Sequence, residues 1–221
     1  MSGALLQAKN LFCERDDRIL FEHLDFELNA GDIVQIEGAN GAGKTTLLRI
    51  LAGLSQAYEG RLLWKSQPLE ENRTDYFSNL LYLGHKPGVK SVLSPLENLV
   101  SWMGIRRAPD LQAILDALRK VGLYGYEEVP CHSLSAGQNR RVALARLFLS
   151  TEAVWILDEA FTAIDLQGVA NLEALMVERA KAGGAIILTT HHEFGLYQHL
   201  RKVTLGRRVS RESRLAQGVL L

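Results

Sequence analysis

The 221-residue sequence is 47% hydrophobic and 23% charged, the balance of an ordinary globular chain with one sizeable core. Its 25 Lys and Arg offset 25 Asp and Glu, so no net field gathers nucleic acid or an anionic membrane surface, and no nucleic-acid partner is expected. Apolar runs such as Ala153–Leu157 and Ala185–Leu188 fall far short of the roughly 20 residues that span a bilayer, so any membrane association is expected through a partner.

Met1–Asn10 has no long apolar stretch and meets charge at Lys9, so it does not read as a secretory signal. Cys13 and the only other cysteine, Cys131, form neither a CxxC pair nor a ligand cluster, and both are expected to be reduced core thiols. The short aliphatic run Asp32–Glu37 reads as a strand. It leads into Gly38-Ala39-Asn40-Gly41-Ala42-Gly43-Lys44-Thr45, which fits G-x-x-x-x-G-K-[ST] at every fixed position, and then into a helical pattern over Lys44–Ala52. Strand before and helix after are the context this motif needs. Glycines let the backbone fold around phosphates, so that successive N–H groups and the positive end of the helix face negative oxygens. Lys44 then reaches the β and γ phosphates of ATP and the Thr45 hydroxyl ligates Mg²⁺. Thr46, next in the helix, joins the nucleotide-binding set.

From about His85 to Ser150 there is almost no strand signal. Helical patterns over Pro95–Met103, Leu111–Val121 and Gln138–Leu149 predict a helical subdomain inserted into an α/β core made of 1–84 and 151–221. Before the last of these helices, Ser135 is placed as N-cap, with Gln138 at the capping-box position. Ala153–Leu157 reads as a strand that delivers Asp158 and Glu159 at its end, where adjacent acids point in different directions. Asp158 suits Mg²⁺ held through water, and Glu159 suits the water that attacks the γ-phosphate. The plainer alternative is an acidic pair that caps a helix. Leu166, Val169, Leu172, Leu175 and Met176 mark a helix over Leu166–Ala180, with Asp165 at its N-cap position. The Ala185–Thr190 strand ends at His191 and His192. From Lys202 onward the chain reads as short strands and turns. Strands alternating with helices imply a mostly parallel sheet covered on both faces.

Gly38–Thr45, Leu134-Ser135-Ala136-Gly137-Gln138, Asp158-Glu159, Thr162-Ala163-Ile164-Asp165 and Thr190-His191 together resemble the ABC ATPases over nearly the whole chain. The resemblance implies a single P-loop NTPase domain with a mostly parallel sheet, an N-terminal antiparallel β part and an inserted helical subdomain. It also implies a head-to-tail pair with a second copy of the chain, in which Ser135, Gly137 and Gln138 of one copy complete the nucleotide site of the other. Asp165 would lie at the seam, and His191 would contact the γ-phosphate and Glu159, while His192 is read as a surface residue. Integral membrane subunits are the further implied partners, docked on the stretch near His85–Met103.

Three departures stand out. His85 occupies the place of a glutamine that contacts water or metal, which makes it a candidate metal contact. Ala160 replaces a frequent proline. Phe12 is the nearest candidate to stack on adenine, although core packing is favoured for it, and Arg15 is the planar substitute. Tyr82–His85, Leu134–Arg146 and Phe161–Val169 resemble more narrowly the ATP-binding subunits of haem-export and cytochrome c maturation systems. That likeness implies a peripheral protein on the cytoplasmic face of a bacterial inner membrane. No direct haem binding is expected, because Cys131-His132 lacks the CxxCH pattern. Two other classes stay open: a soluble ABC protein that remodels ribosomes or DNA, and a nucleotide-gated binding module of low turnover.

Overall fold

The computed structural model describes every residue except 1, 2, 162, 163, 165, 191–194, 196–199, 207, 208 and 211–221, with backbone alone at 209 and 210. Asp165, His191 and His192, and with them Thr162 and Ala163, therefore lie outside the described residues.

Two five-stranded sheets carry the fold. In the first, β1 (Leu6–Arg15) and β2 (Arg18–Leu28) form an antiparallel hairpin, flanked by β4 (Glu59–Trp64), β5 (Gln67–Pro68) and β10 (Val209–Ser210). The hairpin turns on Asp16 and Asp17, both at positive φ (52° and 56°), the geometry that matches the right-handed twist of paired strands. The second sheet is parallel throughout, in the order β6 (Leu80–Leu83), β7 (Val154–Asp158), β8 (Ala185–Thr189), β3 (Ile33–Glu37), β9 (Leu200–Thr204).

The pleat divides the core. Val154 and Ile156 of β7, with Ala185 and Ile187 of β8, face a cluster shared with the antiparallel sheet and with α1 (Lys44–Leu51). Their neighbours Trp155, Leu157, Ile186 and Leu188 face the opposite way, onto α6 (Leu166–Lys181) and α5 (Ala136–Leu149). Strands buried on both faces are continuously apolar, which is why these short runs were visible as strands. Between β6 and β7 the chain makes α3 (Pro95–Gly104), α4 (Leu111–Lys120) and α5, with no strand. These three helices share a third cluster that includes Leu99, Met103, Ile114, Leu118 and Val142. Leu144 and Leu147 of α5 belong to the sheet's cluster, and Val142, Ala145 and Leu149 to the helical one. A helix apolar on both sides is buried between two layers.

The predicted helices and strands agree with the observed ones to within about two residues at each end. The first sheet and the short α2 (Arg73–Ser78) have no counterpart in the sequence pattern, because their strands are half polar and their turns short. Phe12 is half-buried and belongs to none of the apolar clusters. Its assignment to the core is corrected accordingly: it sits on β1 opposite Glu59 of β4. Cys13 and Cys131 are free and buried, as expected. No helix among the described residues is long and apolar enough to cross a membrane.

Candidate active site

In a parallel sheet, loops that follow the C-terminal strand ends can converge on one crevice. Here β3 ends at Glu37 and runs into the glycine loop, β7 ends at Asp158, and β8 between them ends at Thr189. The loop needs its glycines for stated reasons. At Gly38, φ is 148° and a Cβ would come within 3.2 Å of the Leu205 carbonyl and the Ala42 side chain. Gly43, at φ 96°, would place a Cβ 3.1 Å from Leu20 Cβ. Any other residue at either place would combine backbone strain with crowding.

Lys44 opens α1, and its ammonium donates to the carbonyl oxygens of Gly38 at 2.7 Å and Ala39 at 3.3 Å. The loop thereby holds the charge that a phosphate would take over. A cavity of about 530 Å³ lies beside it, lined by Asn40, Gly41, Gly43, Lys44, Thr45 and Thr46, with Glu159 on one side and Arg15, Asp16, Arg18 and Leu20 of the hairpin on the other. That volume falls within the range of small-molecule sites. The hairpin tip was missed in the sequence, although an Asp-Asp pair is a turn signal. It places Arg15, the planar substitute for a stacking aromatic, on the cavity wall, while Phe12 is not among the residues lining it.

Asp158 is 1% exposed. Its Oδ1 accepts from Thr45 Oγ1 at 3.2 Å and from Thr189 Oγ1 at 2.8 Å. Its Oδ2 is buried with no hydrogen-bond partner among the described residues. A buried carboxylate oxygen without a donor is costly, and together with the Thr45 hydroxyl it forms the hard oxygen set that suits a small divalent cation. Thr189 is a second residue the sequence reading missed. Paired with Asp158 across β7 and β8, it ties the acid strand to its neighbour, and its only signal was a polar residue at the end of a buried strand.

Glu159 sits at φ 49°, a left-handed conformation that is unusual outside glycine. Its N–H donates to the Thr189 carbonyl at 3.1 Å and to Thr189 Oγ1 at 3.0 Å. Its carboxylate Oε2 lies 3.9 Å from His85 Nδ1. His85 therefore neighbours Glu159. Burial first, and then the Asp158 charge, push the Tyr82 hydroxyl above its ordinary range.

Ser135 caps α5: its Oγ accepts from Gln138 N at 3.2 Å, and its own N–H donates to Gln138 Oε1 at 2.9 Å. The Gln138 side chain thus closes the cap. Ser135, Gly137 and Gln138 are not among the residues that line the cavity beside Lys44. The structure brings together the glycine loop, Thr45, Asp158, Glu159 and His85.

A sequence profile described as ABC transporter matches residues 21–162. The chain is 57% identical over 202 residues to a protein of Hahella chejuensis named cytochrome c biogenesis ATP-binding export protein CcmA, covering 91% of this chain and 96% of that protein. Among solved structures, it is similar to an ATP-binding subunit of an ABC transporter, with TM-score 0.79 and 21% identity over 97% of this chain and 94% of the other. It is also similar to the ATP-binding cassette MJ0796, solved as a dimer in a post-hydrolysis state bound to ADP and Pi, with TM-score 0.75 and 18% identity over 93% of this chain and 98% of that one.

Proposed function

Because the chain belongs to the ABC transporter family, we propose that it binds and hydrolyses ATP as the energising subunit of an export system in cytochrome c biogenesis. The observation that carries this reading is the convergence of Lys44, Thr45 and Glu159 on one cavity, with Asp158 joined to Thr45 and Thr189 behind it.

The chain's own residues divide the work. The amides of 39–46 and the N-terminus of α1 take the phosphate oxygens, and Lys44 exchanges the Gly38 and Ala39 carbonyls for the β and γ phosphates. Thr45, and Asp158 through water, are the residues that would hold Mg²⁺, which when bound neutralises charge as the terminal phosphoryl group leaves. Glu159 orients the attacking water and accepts its proton. Thr189 keeps Asp158 facing Thr45. Arg15 and Arg18 on the hairpin form the base end of the site, where a guanidinium plane stacks on adenine.

The hydroxyl of Ser135 and the helix N-terminus at Gly137, which are not among the residues lining the cavity of their own chain, serve the nucleotide of a second copy, packed head to tail. Asp165 couples the two sites at that seam, and His191 contacts the γ-phosphate. Integral membrane subunits of the CcmB/CcmC type then receive the motion, with the chain held peripherally on the cytoplasmic face of a bacterial inner membrane. Direct haem binding by this chain is not part of the reading, since Cys131-His132 lacks the CxxCH pattern.

The test is phosphate release by purified protein, with and without Glu159→Gln. The wild type should turn over ATP. The variant should stop hydrolysing and accumulate as an ATP-bound dimer in size-exclusion scattering. A Glu159→Gln protein that hydrolyses at the wild-type rate, or stays monomeric with saturating ATP and Mg²⁺, overturns the reading.

A further inference from the structure

Arg140 is 5% exposed on the first turns of α5, and among the described residues it has no carboxylate partner at hydrogen-bond distance. Its guanidinium instead donates to five backbone carbonyls. Nε reaches Ala160 at 3.1 Å; Nη1 reaches Gly84 at 2.8 Å and His85 at 3.3 Å; Nη2 reaches Glu159 at 2.8 Å and Asp158 at 3.3 Å. Burying a cation against neutral oxygens is expensive. Burial indeed holds this guanidinium below its ordinary range, against the opposing pull of Asp158 and Glu159. An arrangement of that cost calls for a function beyond packing.

The five oxygens belong to two adjacent strand ends. Gly84 and His85 follow β6, and Asp158–Ala160 end and follow β7, where both chains leave the ladder and lose their strand partners. The planar fork supplies the missing donors to both at once, which an ammonium cannot do with fixed geometry. One oxygen is that of Glu159, whose N–H is already held by Thr189. With both flanking peptides pinned, the left-handed backbone of Glu159 is held in place and with it the direction of the carboxylate. Arg140 stands five positions after Ser135, on the helix that Ser135 caps.

We propose that Arg140 is a positioning residue that sets the orientation of Glu159, and the distance of His85 from it, according to where α5 and its Ser135 turn sit. A displacement of α5 then moves the base, so the water is aligned only when the 135–138 turn is correctly seated. This rests on Glu159 as the base of the reaction proposed above.

Arg146, two turns further along α5, provides an internal control. It donates to the carbonyls of Pro87 and Gly88 at 3.4 Å and 2.8 Å, and is half-buried, but touches neither strand end. The experiment compares Arg140→Lys, Arg146→Lys and Glu159→Gln by steady-state phosphate release, ATP affinity and thermal melting. Arg140→Lys should lower kcat by roughly 10- to 100-fold, the loss that a shift of about 1 Å produces, with KM and ATP affinity unchanged. Arg146→Lys should lower the melting temperature without that loss of kcat. If both variants lose stability alike and keep kcat, Arg140 is structural and the proposal fails. If Glu159→Gln keeps its turnover, the assignment of the base fails, whatever Arg140 does. A measurement on the unaltered protein removes the need for the lysine variants to fold. Amide exchange at 84–86 and at 159–161 should rise and fall together across the apo, ATP and ADP states, and independent behaviour of the two segments overturns the proposal.

Discussion

Single side chains in this molecule are held by named partners, and titration makes one case measurable. Asp75 accepts from the indole of the buried Trp64, from Lys65 at 3.1 Å and from Asn79 at 3.2 Å. The Trp64 bond is the largest of the effects that hold its carboxyl below the usual carboxylate range, followed by the Lys65 bond. A depressed folded-state value means a contribution present above the unfolded pKa of about 3.9 and lost as pH falls through the lower folded one. Urea unfolding of wild type and Asp75→Asn should show the wild type more stable at pH 6, and the gap should close below about pH 4. A gap that is constant with pH would assign the effect to packing. At this scale the glycine loop, Lys44, Thr45 and the two acids were readable because fixed spacing in sequence maps onto fixed geometry at a strand end. Arg140 and Thr189 were not, because each acts through the backbone of a distant segment. The one hint for Arg140 was the charged pair Arg140-Arg141 just before the apolar stretch Val142–Ala145.

Among the elements, the segment from Gly88 to Ser94 shows how an irregular stretch is kept in place. Asn98, in α3 and 4% exposed, accepts from Lys90 N at 2.8 Å and shares its amide among the carbonyls of Lys90, Leu93 and Ser94. Cys131 N and His132 N donate in turn to Leu93 and Ser91, and Asn139 Nδ2 reaches the Cys131, Leu134 and Ser135 carbonyls. Hydrogen bonds thus run from that stretch to the cap of α5. Asn98→Ala should cost about 1–3 kcal/mol for each polar group it leaves buried without a partner. The same variant should speed amide exchange at 88–94, and unchanged exchange there would show that the stretch is held by its packing. The helices α3 to α6 were legible as helical patterns, with Ser135 and Asp165 read as the N-caps of α5 and α6. The hairpin of β1 and β2 was not, since bulges interrupt its pairing at Ala8–Leu11 and again up to Glu14, which breaks the alternation that reveals a strand.

For the whole molecule, the alternation of strand and helix was enough to give the parallel sheet. The antiparallel sheet came from family resemblance alone, because nothing local in the sequence says which edge a half-polar strand will pair with. The parallel sheet and the helical insert meet at α5, which contributes apolar side chains to clusters on both of its flanks. A helix that is a wall of two rooms cannot be taken down from one side only. Melting either room exposes the other, so calorimetry should record a single endotherm rather than separate transitions for sheet and insert, and two resolved peaks would show the rooms to be independent. A push that tilts the insert is then felt at the strand ends directly, with no flexible joint in between to absorb it.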